Sequence, residues 1–77
     1  MKNWEINYNG NSIVVENKAF SERLYVNGEL QDEQIGFANR VRLWGNLETG
    51  EMIKVSIGGV FRMHCRIFVN NKLLLSE

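Results

Sequence analysis

The sequence predicts an all-β fold, a small antiparallel β-sandwich of about eight strands joined as a hairpin meander. Two observations lead to this prediction. Apolar residues recur at every second position along most of the 77-residue chain, which is the period of a strand with one buried face. Asn-Gly and related dipeptides separate these alternating segments and favour the tight turns of β-hairpins. A small, partly open barrel is the alternative arrangement of the same strands.

Alternation between apolar and polar residues places the strands along the chain. In the first strand Trp4, Ile6 and Tyr8 alternate with Glu5 and Asn7. No segment keeps an apolar stripe of helical period over three turns, so no helix is predicted. The predicted strands lie near residues 3–8, 11–18, 22–27, 29–33, 40–47, 51–58, 62–69 and 72–75.

Four turns join the predicted hairpins. Asn9-Gly10 and Asn27-Gly28 suit two-residue turns in which both central residues have positive φ. Asn70-Asn71 can adopt the same turn because Asn tolerates the left-handed region. In the segment 48–51 we expect Gly50 to take that conformation.

Glycines also mark two further connections. The segment 32–39 is short and contains Gly36, so we predict a connector there rather than a helix. Gly58-Gly59 follows a strand, but neither a helix nor a Lys-Ser/Thr pair follows it, so it does not fit a phosphate-binding loop. We predict a bend or a bulge at this pair where the chain crosses between sheets.

An internal repeat relates the two halves of the chain. Residues 23–30 align with residues 66–73, and four of the eight aligned positions are identical. Upstream, residues 13–15 resemble residues 53–55. A duplication and the convergence of two similar hairpins both explain the repeat. In either case the halves would occupy related positions in a pseudo-symmetric sandwich.

Composition excludes several classes of function for what we expect to be a single domain over residues 1–77. Nine Lys/Arg balance nine Asp/Glu, so no long-range attraction to nucleic acid is expected. One Cys and one His exclude a disulfide framework and a Cys/His zinc site within one chain, and we expect neither metal nor cofactor. No apolar run approaches the roughly 20 residues of a membrane helix, and the first residues do not resemble a signal peptide. A cytoplasmic protein is therefore predicted.

His64 and Cys65 form the single pair in the sequence that could act as base and thiol nucleophile. Adjacent strand residues point to opposite faces, which places Cys65 on the core face and His64 on the outer face. The carboxylates show no convergent pair of the kind that acid–base catalysis requires. We therefore predict no enzymatic activity and slow reaction of native Cys65 with thiol reagents.

Arginine and aromatic residues share the outer faces of the predicted strands. Such a surface can bind an acidic peptide, stack bases or hold a carboxylate, and it can equally be ordinary sheet exterior. The predicted function is a non-catalytic interaction module that binds protein partners or itself. The alternative is a small-ligand or carbohydrate-binding β domain that uses the same surface. The predicted surface residues are Arg23, Tyr25, Arg40, Arg42, Trp44, Arg62, His64, Arg66 and Phe68.

Three consecutive leucines, Leu73-Leu74-Leu75, lie near the end of the chain. In a regular strand at least one of them faces away from its own core. A partner subunit or the neighbouring sheet would cover it, and we predict a homodimer.

Several short segments of the chain resemble the Fas apoptotic inhibitory molecule family. The segments that resemble its opening are Trp4-Glu5-Ile6, Tyr8-Asn9-Gly10-Asn11, Ile13-Val14-Val15-Glu16-Asn17 and Leu24-Tyr25-Val26-Asn27-Gly28-Glu29-Leu30. Those that are similar to the end of its second domain are Val55-Ser56-Ile57-Gly58, Cys65 and Phe68-Val69-Asn70-Asn71. The resemblance implies a compact antiparallel β-sandwich that acts in the cytosol through protein contacts, with no catalytic residues. Members of the family carry two such domains, whereas this chain has a single short unit.

Overall fold

The chain folds into two four-stranded antiparallel sheets, one from each half of the sequence. The computed structural model describes residues 2–59 and 62–77. Within those ranges no helix is long and apolar enough to cross a membrane. Sheet A contains β1 (Lys2–Tyr8), β2 (Asn11–Lys18), β3 (Ser21–Val26) and β4 (Glu29–Ile35). Sheet B contains β5 (Arg40–Asn46), β6 (Met52–Gly58), β7 (His64–Val69) and β8 (Lys72–Ser76). The strands of each sheet lie in sequence order, and their division into two separate sheets confirms the predicted sandwich.

Alternation along the strands buries one face of each sheet in a shared core. In β5, for example, Val41 and Leu43 are buried whereas Arg42 and Trp44 are exposed. Burial of each large apolar side chain stabilises the fold by about 1.5–3 kcal/mol, and these contacts act without a disulfide. The buried apolar residues are Trp4, Ile13, Val15, Leu24, Val26, Val41, Leu43, Leu47, Ile53, Val55, Ile57, Cys65, Ile67 and Val69.

The predicted turns have the expected left-handed backbone. Asn27 and Gly28 have φ values of 51° and 82°, and Asn9-Gly10 shows nearly the same pair of angles. Asn70-Asn71 adopts the same turn without glycine, and Gly50 has a φ of 93°. Positive φ at both central residues matches the right-handed twist of the strands that these turns connect.

The sequence repeat corresponds to a repeat of structure in hairpins β3–β4 and β7–β8. The pairing register shifts between Leu24 and Tyr25 in the first hairpin and between Ile67 and Phe68 in the second. These pairs occupy aligned positions of the repeat. A bulge conserved between the two halves gives them the same local twist.

Aligned asparagines make a second shared feature. The side-chain oxygen of Asn27 accepts the backbone N–H of Ser12 at 2.9 Å, and that of Asn70 accepts the backbone N–H of Met52 at 2.9 Å. The backbone N–H of Asn27 in turn donates to the Ser12 carbonyl, and that of Asn70 donates to the Met52 carbonyl, each at 2.8 Å. A common bulge and a common bridge support the predicted pseudo-symmetry of the two halves.

Two side chains of β4 reach across to the edge of β5 in the other sheet. An Asp32 carboxylate oxygen accepts the N–H of Trp44 at 2.9 Å, and the Gln31 side chain accepts the N–H of Asn46 at 3.2 Å. Both N–H groups point away from β6, so they would otherwise be unpaired edge donors. These contacts hold the two sheets together along one edge.

A second polar contact joins the sheets at the turn between β5 and β6. The Tyr8 hydroxyl donates a 2.7 Å hydrogen bond to a carboxylate oxygen of Glu51, and the Thr49 hydroxyl donates to the other oxygen, also at 2.7 Å. These hydrogen bonds lower the pKa of Glu51. The bond to Glu51 is also the main reason that the pKa of Tyr8 is raised.

The predicted ends of two strands need correction. Strand β4 continues to Ile35, because its later residues pair with β3, and the connector is limited to residues 36–39. Asp32 and Glu33 therefore lie within a strand, where each binds a specific partner, rather than in a solvated turn. Strand β7 begins at His64, not at residue 62.

The Gly58-Gly59 prediction is wrong about where the chain changes sheets. Gly58 ends β6 and Gly59 follows it, and the next strand, β7, belongs to the same sheet B, so the crossing occurs instead at 36–39. A side chain at Gly59, where φ is 149°, would collide with the carbonyl of Arg62, so this glycine permits a close backbone approach. The prediction that no helix follows the pair concerns Val60 and Phe61, which lie outside the described residues.

Candidate functional site

The outer face of sheet B brings together six of the nine predicted surface residues. Strand register arranges them in three rows that cross β5, β6 and β7. From β5 to β7 these rows are Arg40–Gly58–His64, Arg42–Ser56–Arg66 and Trp44–Lys54–Phe68. Neighbouring strands lie about 4.8 Å apart, so the residues of one row are close enough to contact one ligand or one partner surface.

A basic groove of about 630 Å³ occupies the first two rows. Its lining residues are Arg40, Val41, Arg42, Ser56, Ile57, Gly58, His64 and Arg66. The small residues of β6 form the floor, and the long side chains of β5 and β7 form the walls. Gly58 adds no side chain to the floor, and a Cβ atom there would lie at an ordinary 3.4 Å from its nearest neighbours, so a larger residue is tolerated at Cβ and would narrow the groove.

The charge of this face is entirely positive. Its strands present Arg40, Arg42, Lys54 and Arg66 outward, and none of β5, β6, β7 and β8 places an Asp or Glu on this face, although the Asp32 carboxylate from β4 reaches its edge at the N–H of Trp44. Within the described ranges the one Lys/Arg–carboxylate ion pair joins Arg23 to Glu33 in sheet A. The groove arginines therefore create a local positive potential on a chain with no net charge.

An apolar strip adjoins the basic groove toward the turns of sheet B. It consists of Trp44, Met52, Phe68 and Leu73, with 47% of Trp44 and 49% of Leu73 exposed. The Lys54 ammonium lies 4.7 Å from the centre of the Phe68 ring, a cation–π distance. Leu73 also confirms that one of the three terminal leucines faces away from the core. We call the basic groove and the apolar strip together the docking face.

The other three predicted residues lie elsewhere. Arg23 and Tyr25 project from the outer face of sheet A, on the opposite side of the sandwich. The Arg23 guanidinium bonds Glu33 at 2.9 Å. Arg62 is exposed but precedes β7, so it belongs to none of the three rows. The nine residues thus form two surfaces and a flanking position, not one site.

His64 and Cys65 point to opposite faces, as the strand period predicts. His64 is exposed at the basic groove, whereas Cys65 is fully buried. Burial, with a smaller contribution from the charge of Glu77, raises the pKa of the Cys65 thiol to about 12. Cys65 is therefore a protonated core residue at neutral pH and is not activated as a nucleophile.

A buried carboxyl group at Glu22 was missed by the sequence analysis. Only 4% of Glu22 is exposed, and one carboxyl oxygen accepts a 2.9 Å hydrogen bond from Asn17 while the other has no partner. Burial raises the pKa of Glu22. The signal was available, because Glu22 has the same strand parity as Leu24 and Val26, which alternation places in the core.

A second exposed apolar patch lies at the end of the sandwich that carries the β2–β3 turn and the connector 36–39. Phe20, Ile35 and Phe37 all have more than half of their surface exposed. The Gly36 N–H donates to the Phe20 carbonyl at 2.7 Å and holds these segments together. Alternation could not reveal this patch, because Phe20 and Phe37 lie outside the strands.

No cluster of three His, Cys, Asp or Glu side chains suited to a metal ion occurs within residues 2–59 and 62–77. The chain matches no family model, and no curated protein or solved structure is significantly similar to it.

Proposed function

We propose that this domain is a non-catalytic interaction module that binds an acidic protein segment on the docking face. The observation that carries the proposal is the convergence of Arg40, Arg42 and Arg66, none of which forms an ion pair with a described carboxylate, beside an exposed apolar strip. Arginine and large aromatic residues supply most of the binding energy in protein interfaces. A partner with acidic and apolar side chains would match both parts of the face.

The absence of catalysis is supported by the placement of the reactive groups. Cys65 is buried and protonated, and His64 lies on the other side of the sheet. Glu22 is paired with an amide, Asn17, and not with a second acid. The single unpaired cysteine and the family resemblance support action in the cytosol, where thiols stay reduced.

Selection from a random peptide display library against the full chain tests the proposed partner chemistry. We expect peptides that combine Asp or Glu with aromatic or leucine residues. The double variant Arg42→Glu/Arg66→Glu should lose these peptides. The matched control is Arg23→Gln, which removes the arginine at the repeat-equivalent position of sheet A and should keep them. Neutral peptides, or peptides that bind the double variant equally well, would contradict the proposal.

A small anionic ligand or acidic sugar is the second candidate, because the groove volume lies within the roughly 300–1,000 Å³ of small-molecule sites. Glucuronate titration followed by thermal denaturation separates the two candidates. A rise in melting temperature that Gly58→Val abolishes would favour the ligand. Valine there fills the groove without changing its charge.

Self-association through the apolar strip, outside the positively charged groove, is a further proposal. Two copies would bury Trp44 and Leu73 between them, which fits the predicted homodimer. Light scattering over a range of protein concentrations tests this proposal, and a monomer at the highest concentration would contradict it.

A further inference from the structure

The two halves of the sandwich carry the same arginine in different electrostatic surroundings. In sheet A, Arg23 lies opposite Glu16 on β2 and Glu33 on β4. In sheet B, the aligned Arg66 lies opposite two serines, Ser56 on β6 and Ser76 on β8. The two glutamates that lie opposite the arginine in the first half are thus replaced by two uncharged serines in the second half.

Among residues 2–59 and 62–77, Arg66 has no carboxylate partner of the kind that its equivalent, Arg23, has. Arg23 holds Glu33 at 2.9 Å, whereas the described residues of the docking face include no carboxylate for Arg66. On the other side of Ser56 lies Arg42, a second guanidinium without an ion-pair partner among the described residues. The corresponding pair in sheet A is Asn3 opposite Glu16, so no second arginine is present there. Two arginines thus flank one small hydroxyl residue on an open floor.

We propose that Arg42, Ser56 and Arg66 form an oxyanion site that takes a phosphate monoester. Each guanidinium presents a planar fork of N–H donors that binds phosphate oxygens in pairs, and the Ser56 hydroxyl adds a donor from below. A phosphate monoester carries a charge of about −1.5 to −2 and three terminal oxygens, so it can satisfy two arginines at once. A single carboxylate has half the charge and two oxygens.

Further donors line the groove beside this site. Arg40 and His64 flank Gly58 in the adjacent row, so the positive field extends along the groove. The missing side chain at Gly58 lets a bulky group lie close to the sheet. The apolar strip on the other side of the Arg42–Ser56–Arg66 row would receive an apolar group attached to the phosphate.

This inference rests on the proposed docking of a protein partner and names the group that anchors it, a phosphorylated side chain. A free phosphorylated metabolite has the same anchoring chemistry. The test therefore compares three probes on the full chain by calorimetry and by NMR of the arginine Nε–H groups. These are inorganic phosphate, a short peptide with phosphoserine next to phenylalanine, and the same peptide with Glu in place of phosphoserine.

We expect the phosphopeptide to bind at least about 10-fold more tightly than the Glu peptide, since charge-assisted hydrogen bonds to the second arginine are lost. Arg42→Ala and Arg66→Ala should each weaken it by about 10-fold or more. Arg66→Lys should restore only part of the affinity because the fork is lost. The matched control Arg23→Ala should leave it within about twofold, since that arginine is on the other sheet.

The outcomes separate the inference from the proposed function. Equal affinity for the Glu and phosphoserine peptides, with loss in Arg66→Ala, would overturn the phosphate site and leave acidic-segment docking intact. Binding of neither peptide would overturn both. Tighter binding of inorganic phosphate than of the phosphopeptide would assign the site to a metabolite.

Discussion

Replacing Gly28 by valine tests the turn between β3 and β4, the first of the two repeated hairpins. Gly28 has a φ of 82°, in the left-handed region that β-branched residues avoid. A Cβ atom at this position would have no neighbour within 4 Å, so the substitution adds backbone strain without a steric clash. The expected loss is the left-handed penalty alone, about 1–2 kcal/mol of unfolding free energy. For a domain of this size that corresponds to a fall in melting temperature of about 4–8 °C for each kcal/mol.

Urea unfolding followed by the fluorescence of the buried Trp4 measures this loss. A Trp44→Phe background removes the signal of the exposed tryptophan. The matched control is Glu29→Val, which places the same side chain on the next, exposed residue without a positive φ and should change stability little. The reverse change, Asn71→Gly at a φ of 67°, should stabilise the equivalent turn by up to about 1 kcal/mol. A loss below about 0.5 kcal/mol in Gly28→Val, or an equal loss in Glu29→Val, would refute the reasoning.

Three further predictions concern ionisable side chains. Burial raises the pKa of Glu22 in the folded state above its ordinary 4.5. The folded state therefore binds more protons than the unfolded state, and the unfolding free energy falls as pH rises from 4.5 through the folded pKa. Glu22→Gln should therefore raise the unfolding free energy at pH 7 by about 1 kcal/mol and flatten its pH dependence, and a loss of stability at pH 7 would contradict this. Native Cys65 should react with a thiol reagent only as fast as the protein opens, so rapid labelling without unfolding would show that it is accessible. Tyr8→Phe should raise the pKa of Glu51 toward its ordinary value in a carboxyl NMR titration, whereas an unchanged pKa would show that the hydrogen bond is absent in solution.

The fold was predictable because its signals are local. An Asn-Gly turn and an alternating strand depend on residues within a few positions of each other, so a single sequence contains them. The strand ends were less predictable where tertiary contacts set them. Strand β4 extends to Ile35 because β3 supplies a pairing partner, which residue types alone did not indicate.

The candidate site was predictable only in part, because strand parity identifies a face but not the sheet that carries it. Arg23 and Arg66 have the same parity and similar neighbours along the chain, yet they lie on opposite sides of the sandwich. The change of sheet at residues 36–39 separates them. Their cross-strand neighbours, Glu33 and Ser76, then decide which arginine is free, and that pairing is known only once the register is known.

The most direct test of the account is an NMR footprint of an acidic, aromatic peptide on the isotopically labelled full chain. We predict that the amide shift changes concentrate at residues 40–44, 54–58 and 64–68, and that they disappear in Arg42→Glu/Arg66→Glu. Changes centred on the outer face of sheet A, or on the patch formed by Phe20, Ile35 and Phe37, would contradict the assignment of sheet B as the docking face.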